Sequence, residues 1–235
     1  MSLAALDMTG LLSALPLFSD LSVPERQRIA QGCQLKRLAR SEMCFRVNDP
    51  CDAFFIVVAG QVKLYVASPS GQEKVIEIIS AGHSFAEALV FLGQPHIVNA
   101  EALVDTVLVC VSKQAVLAEV ANDPSFSLHM LAGISKRLHG LIRDVEGYAL
   151  QSGMQRLIGY LLRDVVNAAD ESEVGPMCLT VSLPASKAIV ASRLSLTPEY
   201  FSHVLHALEA KGLIEIDKRD IRILDVKQLA SFGSH

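Results

Sequence analysis

The chain has 235 residues, 51% of them apolar, and a formal net charge of −4 at pH 7, which gives no bulk attraction for nucleic acid. The length allows two domains with separate cores, and no window holds the roughly 18 uninterrupted apolar residues of a membrane span. Residues 1–18 also lack a basic segment with a cleavage site, so we expect a cytoplasmic protein without a membrane anchor or secretion signal.

The first 32 residues or so predict helices, with a helix start at residues 22–25, Ser-Val-Pro-Glu. From about residue 35 to 115 the pattern changes to short apolar strands separated by turn signals, for example at residues 48–50 and 68–71. The strands predicted at residues 54–58 and 61–66 flank Gly60. Many short strands at this spacing predict an antiparallel barrel or jelly roll.

A long helix is predicted from about Asp123 to Gln151, because apolar residues recur there in steps of three and four. The predicted seam consists of Leu131, Ile134, Leu138, Leu141, Val145 and Tyr148. Two interpretations stay open at this point. The seam pairs two subunits as a coiled coil, or it packs the helix against its own barrel.

Residues 183–224 predict two short helices with a tight turn between them, followed by a β-hairpin. Ser186 caps the first helix, which breaks at residues 192–195. Thr197 caps the second helix, and Pro198 follows at the first helical position, where its missing N–H costs nothing. Gly212 ends this second helix, whose buried face consists of Phe201, Val204, Leu205 and Leu208.

The opposite face of the second helix is polar, and the hairpin carries basic residues at its tip. This arrangement is typical of a major-groove reader with a wing on the phosphates, although a solvated helical hairpin has the same pattern. Because the region after Gly153 has no excess of basic over acidic residues, DNA binding requires local placement of the cations. The predicted DNA-binding residues are Ser186, Lys187, Arg193, Thr197, Glu199, Tyr200, Ser202, His203, His206, Lys218 and Arg219.

In this order of elements the chain resembles the CRP/FNR superfamily of bacterial transcription regulators. Residues 54–62 (FFIVVAGQV) are similar to the family's strand–glycine–strand signature, and residues 68–74 to its hairpin. The resemblance implies an α+β protein with a β jelly-roll effector domain at residues 1–122, a dimerisation helix at 123–152 and a winged helix-turn-helix at 153–235. It also implies a homodimer on a palindromic DNA operator and contact with RNA polymerase.

Two departures from the family pattern change the expected ligand and operator. Members that bind cAMP have Gly-Glu-Leu followed by an Arg-Ser/Thr pair, whereas this chain has residues 86–88, Ala-Glu-Ala, and then His96-Ile97. No arginine or lysine occurs between Lys74 and Lys113, so a cyclic phosphate has no cation and we expect no cAMP binding. His203 stands where the FNR-like branch has arginine, and an imidazole cannot make the bidentate contact to guanine.

Within the family the chain is most similar to the haem-dependent, nitric-oxide-responsive regulators of denitrification, through residues 71–74, 85–88 and 137–139. The resemblance implies haem in an apolar pocket between barrel and long helix. The predicted effector pocket consists of Phe85, Ala86, Glu87, Ala88, Leu89, Phe91 and Ile97. Candidate axial ligands are His139 or His83, with His96 and His129 also considered, and a histidine without a metal role is the alternative for each.

An enzyme is not expected, because the chain has no GxSxG, P-loop or HExxH motif. The five cysteines, Cys33, Cys44, Cys51, Cys110 and Cys178, lack CxxC spacing and favour neither disulfides nor an iron–sulfur cluster. We interpret the chain as a homodimeric DNA-binding regulator whose effector is not cAMP. The alternative is a cyclic-nucleotide-binding signalling module with an output other than DNA binding.

Overall fold

The computed structural model describes residues 7–18, 21–168 and 178–233, so a loop predicted at residues 170–176 lies outside the described part. The chain divides into two compact units. The first comprises residues 1–72 and 76–140, and the second comprises residues 73–75 and 141–235. Among the helices described, none is long and apolar enough to cross a membrane.

The first unit is a β-roll with helices on its outside. Its elements are α1 (Met8–Ser13), α2 (Val23–Ala30), β1 (Cys33–Leu38), β2 (Met43–Phe45), β3 (Ala53–Ala59), β4 (Gln61–Ala67), β5 (Glu73–Ser80), β6 (Ser84–Phe85), α3 (Glu87–Leu92), β7 (Asn99–Ala102), β8 (Thr106–Ser112), α4 (Lys113–Asn122) and the start of α5 (Pro124–Leu150). The strands form two four-stranded sheets in the orders β1-β8-β3-β6 and β2-β7-β4-β5. The predicted jelly roll is confirmed.

Strand β3 is buried on both faces, which explains its uninterrupted apolar sequence. Phe55 and Val57 face a core that also contains residues of β4 and β7. Phe54 and Ile56 face a second core, shared with α1, α2 and the first turns of α5. The alternating side chains of one strand therefore join the β-roll to its helical cover.

Two tight turns of the β-roll need left-handed backbone. Gly60 has φ of 88° between β3 and β4, and a Cβ there would lie 2.6 Å from the Asp105 carbonyl oxygen, so only glycine fits. Ala86 has φ of 70° immediately before α3, the position where cAMP-binding members have glycine. An alanine in this conformation is strained by about 1–2 kcal/mol.

The long helix α5 spans 27 residues, from Pro124 to Leu150, close to the predicted bounds. The backbone N–H of Ser125 donates to Asp123 Oδ1 at 2.8 Å and so caps the helix start. Phe126 and Met130 are buried in the core with α1, α2 and β3. One face of the first turns of α5 is thus fixed to the β-roll.

The second unit contains a three-stranded antiparallel sheet with helices around it. Its elements after α5 are α6 (Gly153–Ala168), β9 (Leu179–Ser182), α7 (Lys187–Arg193), α8 (Pro198–Ala210), β10 (Ile214–Asp217), β11 (Asp220–Ile223) and α9 (Val226–Gly233). The predicted helix pair and hairpin are confirmed, although α7 runs on to Arg193 through the predicted break. The sheet order is β10-β11-β9, and β9 was not predicted.

We predict that Ala86→Gly stabilises the protein by about 1 kcal/mol, because glycine adopts the observed φ without strain. The matched control is Ala88→Gly inside α3, which should destabilise by about 1 kcal/mol through loss of helix propensity. Urea unfolding followed by circular dichroism measures both. A lower unfolding midpoint for Ala86→Gly would contradict the strained turn.

Candidate nucleic-acid interface and ligand pocket

Helices α7 and α8 are held at a tight turn by two side-chain caps. The Ser186 hydroxyl accepts from the Ile189 N–H at 3.4 Å at the start of α7. The Thr197 hydroxyl accepts from the Tyr200 N–H at 3.2 Å at the start of α8. Between the helices Ser195 takes a left-handed conformation with φ of 56°. The turn thus orders the first residues of α8, the end of the helix that reads bases in a helix-turn-helix.

The outer face of α8 is polar and exposed, while its inner face is fully packed. Glu199, His203 and His206 are exposed, and Ser202 is half-buried. The rings of Tyr200 and His203 are stacked with centroids 6.3 Å apart, and the Tyr200 ring also packs closely on Gly153. This face presents a carboxylate, a hydroxyl and imidazoles, all of which can hydrogen-bond base edges.

The hairpin β10–β11 has the predicted basic tip. Asp217 pairs with Asp220 at the end of the ladder, which leaves Lys218 and Arg219 as a two-residue exposed loop. Lys218 has φ of 56°, so the turn itself is left-handed at its first residue. Glu209 accepts from the Ile216 N–H at 3.1 Å and so ties α8 to the hairpin. The two cations are therefore presented by an element that is anchored to α8.

The structure argues against Arg193 as a DNA contact, because its side chain is buried. Its guanidinium lies 2.5 Å from Asp144 Oδ2 and donates to the Tyr148 hydroxyl at 2.7 Å. The Tyr148 hydroxyl in turn donates to the Arg193 carbonyl at 2.6 Å, and burial raises the pKa of this phenol. Arg193 thus connects the end of α5 to α7 inside the second unit. Sequence reasoning missed Asp144, since no local pattern links residues this far apart.

Helix α5 carries an exposed apolar stripe that differs in part from the predicted seam. Its members are Leu128 (67% exposed), Leu131 (58%), Leu138 (56%), Ile142 (55%) and Val145 (66%). Their spacing of three, four and seven residues is that of a coiled-coil seam. Leu141 of the predicted seam is also exposed, at 39%. Ile134 and Tyr148 lie elsewhere: Ile134 lines a pocket of the first unit, and Tyr148 contacts Arg193.

The first unit contains an apolar pocket of about 390 Å³ between α3, α4 and α5. It is lined by Ala88, Phe91, Leu92, Val120, Ser127, Met130, Leu131 and Ile134, of which Ser127 alone has a polar side chain. A cavity of this size and lining suits a small apolar ligand. Phe91 and Leu92 are 41% and 65% exposed, as expected of residues at an open rim.

Of the residues predicted for the effector pocket, Ala88 and Phe91 line it and the others do not. Phe85 is fully buried inside the β-roll, where it stacks on Phe55 with centroids 5.2 Å apart. Leu89 belongs to the core behind α3, and Ile97 is 64% exposed away from the pocket. These three residues therefore lie outside the lining of this pocket: Leu89 is on the inner side of α3, and Phe85 and Ile97 lie before and after that helix.

The remaining two predicted residues, Ala86 and Glu87, form the entry to α3. The Glu87 carboxylate accepts from Arg137 Nη1 at 3.2 Å and from the Ser84 hydroxyl. Arg137 also donates to Glu77 Oε2, from Nη2 at 2.7 Å and from Nε at 3.1 Å. The guanidinium of Arg137 is thus shared by two carboxylates of the same chain.

His96 does not replace the arginine of the cAMP-binding members. Its ring stacks on Phe45 with centroids 3.5 Å apart, and it is 2% exposed. Burial lowers the pKa of His96 despite the opposing charges of Asp49 and Asp52, so the imidazole is neutral at pH 7. A neutral, buried ring supplies no charge for a cyclic phosphate.

The predicted haem ligands do not meet at the pocket. His83 and His139 are exposed, and each places Nδ1 near a backbone carbonyl oxygen, of Ala81 at 3.2 Å and of Ser135 at 3.0 Å. The side chain of His129 lies outside the described part. Among the lining residues Met130 alone has a group that ligates haem iron, and no lining residue offers a cation to the propionates. The described lining therefore does not fit haem held by His83 or His139.

Four of the five cysteines are buried or half-buried, and Cys178 is exposed. Burial raises the pKa of Cys33 and of Cys44 to about 12, so both stay protonated. Within the described ranges, no group of three or more His, Cys, Asp or Glu side chains is arranged to hold a metal ion.

Comparison with known families assigns both units. Residues 35–123 match the cyclic nucleotide-binding domain family, and residues 155–232 match the Crp-like helix-turn-helix domain family. The chain belongs to the CRP/FNR family of transcription regulators. Its β-roll, helices and helix-turn-helix are the fold of that family, whose members are regulators and not enzymes.

Individual relatives extend over most of the chain. A probable transcriptional regulator, flp, of Lacticaseibacillus casei is 25% identical over 94% of this chain and 97% of its own. The structure of FixK2 from Bradyrhizobium japonicum covers 85% of this chain and 96% of its own at 20% identity, with a TM-score of 0.73. The sensor domain of the transcriptional regulator DNR from Pseudomonas aeruginosa is 33% identical, covers 57% of this chain and 91% of its own, and has a TM-score of 0.51.

Proposed function

We propose that this regulator binds a palindromic operator as a homodimer and that a ligand other than cAMP controls it. The observation that carries the DNA-reading part is the exposed polar face of α8, held by the Thr197 cap beside a basic hairpin tip. Such a helix fits the major groove, while the hairpin reaches the flanking phosphates. The match to a Crp-like helix-turn-helix weighs against the alternative of an output other than DNA binding.

We divide the predicted DNA-binding residues into base readers and phosphate contacts. We assign Glu199 as an acceptor for cytosine N4, with Ser202 and His203 at neighbouring base edges. Tyr200 and His206 reach bases or backbone at the edges of the same face. The phosphate contacts are Ser186, Lys187, Lys218 and Arg219, with the Thr197 cap beside them. His203 makes one hydrogen bond where arginine makes two, so we expect a relaxed preference at that base pair.

The homodimer is supported by the apolar stripe on α5. Exposed leucine, isoleucine and valine side chains at coiled-coil spacing leave apolar surface that a second copy of the helix would bury. Pairing through this stripe gives the two reading helices the twofold symmetry of a palindromic operator. We expect the dimer to act in the cytoplasm, where it meets DNA and RNA polymerase.

The ligand class follows from the pocket and from the charges near Glu87. The pocket lining is apolar, and the cation nearest Glu87 is shared by two carboxylates. A cyclic nucleotide would bring an uncompensated phosphate to this site. We therefore propose an uncharged or largely apolar effector. The resemblance implies haem, whose faces are apolar. The described lining, however, contains Met130 as a possible iron ligand and neither His83 nor His139.

To test base reading, Glu199→Ala should lower affinity for the operator by about tenfold to a hundredfold and leave affinity for random DNA nearly unchanged. Lys218→Ala should lower both affinities by a similar factor, because it removes a phosphate contact. Fluorescence anisotropy at several salt concentrations measures both. Equal losses on operator and random DNA for Glu199→Ala would rule out a base contact by this residue.

To test the dimer, Ile142→Glu should raise the dissociation constant of the dimer at least about 100-fold, because it buries an unpaired carboxylate in the seam. Leu150→Glu is the matched control, since Leu150 is 78% exposed but lies off the stripe. Sedimentation velocity over a range of concentrations gives the dissociation constant. Dimers that survive Ile142→Glu unchanged would place the interface on another surface.

To test the ligand class, the wild-type protein is titrated with cAMP and with haem. We expect no binding heat from cAMP at millimolar concentration, since Arg137, the cation beside Glu87, is already shared with Glu77. Haem binding at one per subunit, lost in Met130→Ala and kept in His139→Ala, would identify haem as an effector held in the described pocket. Binding of cAMP would contradict the proposed ligand class.

A further inference from the structure

Arg137 joins α5 to three elements of the β-roll with one side chain. Its guanidinium donates to Glu77 on β5, to the Ser84 carbonyl on β6 at 2.9 Å and to Glu87 at the start of α3. The side chains of Arg137, Glu77 and Glu87 are 25%, 31% and 12% exposed, respectively. Charge-assisted hydrogen bonds in such a half-buried site are stronger than exposed surface pairs.

The two carboxylates are held unequally. Glu77 accepts two hydrogen bonds from Arg137, at 2.7 and 3.1 Å, and sits on a β-strand whose backbone is fixed by its sheet. Glu87 accepts one hydrogen bond from Arg137, at 3.2 Å, and one from the Ser84 hydroxyl, and it belongs to the six-residue helix α3. That helix begins at the strained left-handed Ala86. The contact with Glu87 is therefore the weaker of the two and lies on the more easily displaced element.

The apolar pocket lies between the same two helices that the weaker contact connects. Ala88, the residue after Glu87, lines the pocket, and so does Ile134, one helical turn before Arg137. A ligand that widens the pocket must move α3 relative to α5. Movement of α3 lengthens the contact between Arg137 and Glu87 first, since Glu87 moves with α3 whereas Glu77 lies on β5.

We propose that Arg137 and Glu87 form a releasable clamp that opposes filling of the pocket, with Glu77 as the anchor that holds Arg137 in place. The clamp gives the pair of helices α3 and α5 two states. The pocket is closed when Arg137 contacts Glu87, and it is open when this contact is broken. The proposal rests on the proposed function in one respect, that the pocket is the effector site. A ligand then shifts the position of α3 against α5, the helix that carries the apolar stripe.

The test compares two substitutions that remove one negative charge from the same guanidinium. Glu87→Gln breaks the clamp, and Glu77→Gln is the matched control that removes the anchor. Hydrogen–deuterium exchange of the ligand-free protein should show amides of residues 88–92 exchanging about tenfold faster in Glu87→Gln, the factor expected for one charge-assisted hydrogen bond. Glu77→Gln should leave these amides within about twofold of wild type. Unchanged exchange of residues 88–92 in Glu87→Gln would overturn the clamp.

A second readout separates the clamp from the pocket. The probe is Nile red, an uncharged apolar dye, and its affinity is measured by fluorescence titration. Glu87→Gln should bind the dye about fivefold to tenfold more tightly than wild type, because the cost of opening is removed. Equal affinities of wild type and Glu87→Gln would overturn the clamp as a barrier to filling. If no form binds the dye and α3 still exchanges faster, the clamp stands and the pocket loses its role as effector site.

Discussion

Helix α5 has apolar side chains on several faces, and the described chain covers only some of them. The core, the pocket and the exposed stripe all depend on this helix. Its first turns are fixed by Phe126 and Met130, which are buried against the β-roll. A second set of side chains, including Ile134, borders an apolar pocket. A third set, represented by Leu138 and Val145, remains exposed at coiled-coil spacing. One amphipathic element thus touches the core, the candidate ligand site and the candidate dimer interface, and a small shift of it affects all three.

The positions of individual charged side chains, and not the net charge, determine where this protein can contact DNA. The net charge of −4 opposes DNA binding, and yet the hairpin tip places Lys218 and Arg219 together in the solvent. In the β-roll, Arg137 satisfies the carboxylate of Glu87, a residue of the segment that binds the effector in the family's cAMP-dependent members. The Arg137–Glu87 ion pair thus lies in the segment where a cAMP-dependent member would bind the charged group of its ligand.

The sequence predicted features that depend on neighbours along the chain. The Ser186 and Thr197 caps, the glycine turn at Gly60 and the hairpin at residues 217–220 follow from local backbone requirements, and all appear in the structure. The misplaced residues depend on long-range contacts. Arginine is a common phosphate contact, which is why Arg193 was predicted to bind DNA. In the structure its side chain is buried, because it pairs with Asp144, 49 residues away.

The residues of the seam and of the pocket also depend on long-range contacts that sequence periodicity does not show. Periodicity alone did not predict that Ile142 is exposed beside Leu141, because exposure depends on which neighbours pack against the helix. The apolar run at residues 85–91 predicted one lining, whereas α3 sends Leu89 to the core and Phe91 to the pocket. Strand β9 went unpredicted because its pairing with β11, through Val181 and Ile221 among others, joins segments some forty residues apart.

We expect two copies of α8 to read two half-sites as a symmetric pair. Selection of bound fragments from a random pool of double-stranded DNA, with the purified full-length protein, measures this. An inverted repeat should be enriched, with half-sites centred about one helical turn, or a small multiple of it, apart. Enrichment of a single unrepeated half-site, or no enrichment over the starting pool, would contradict it.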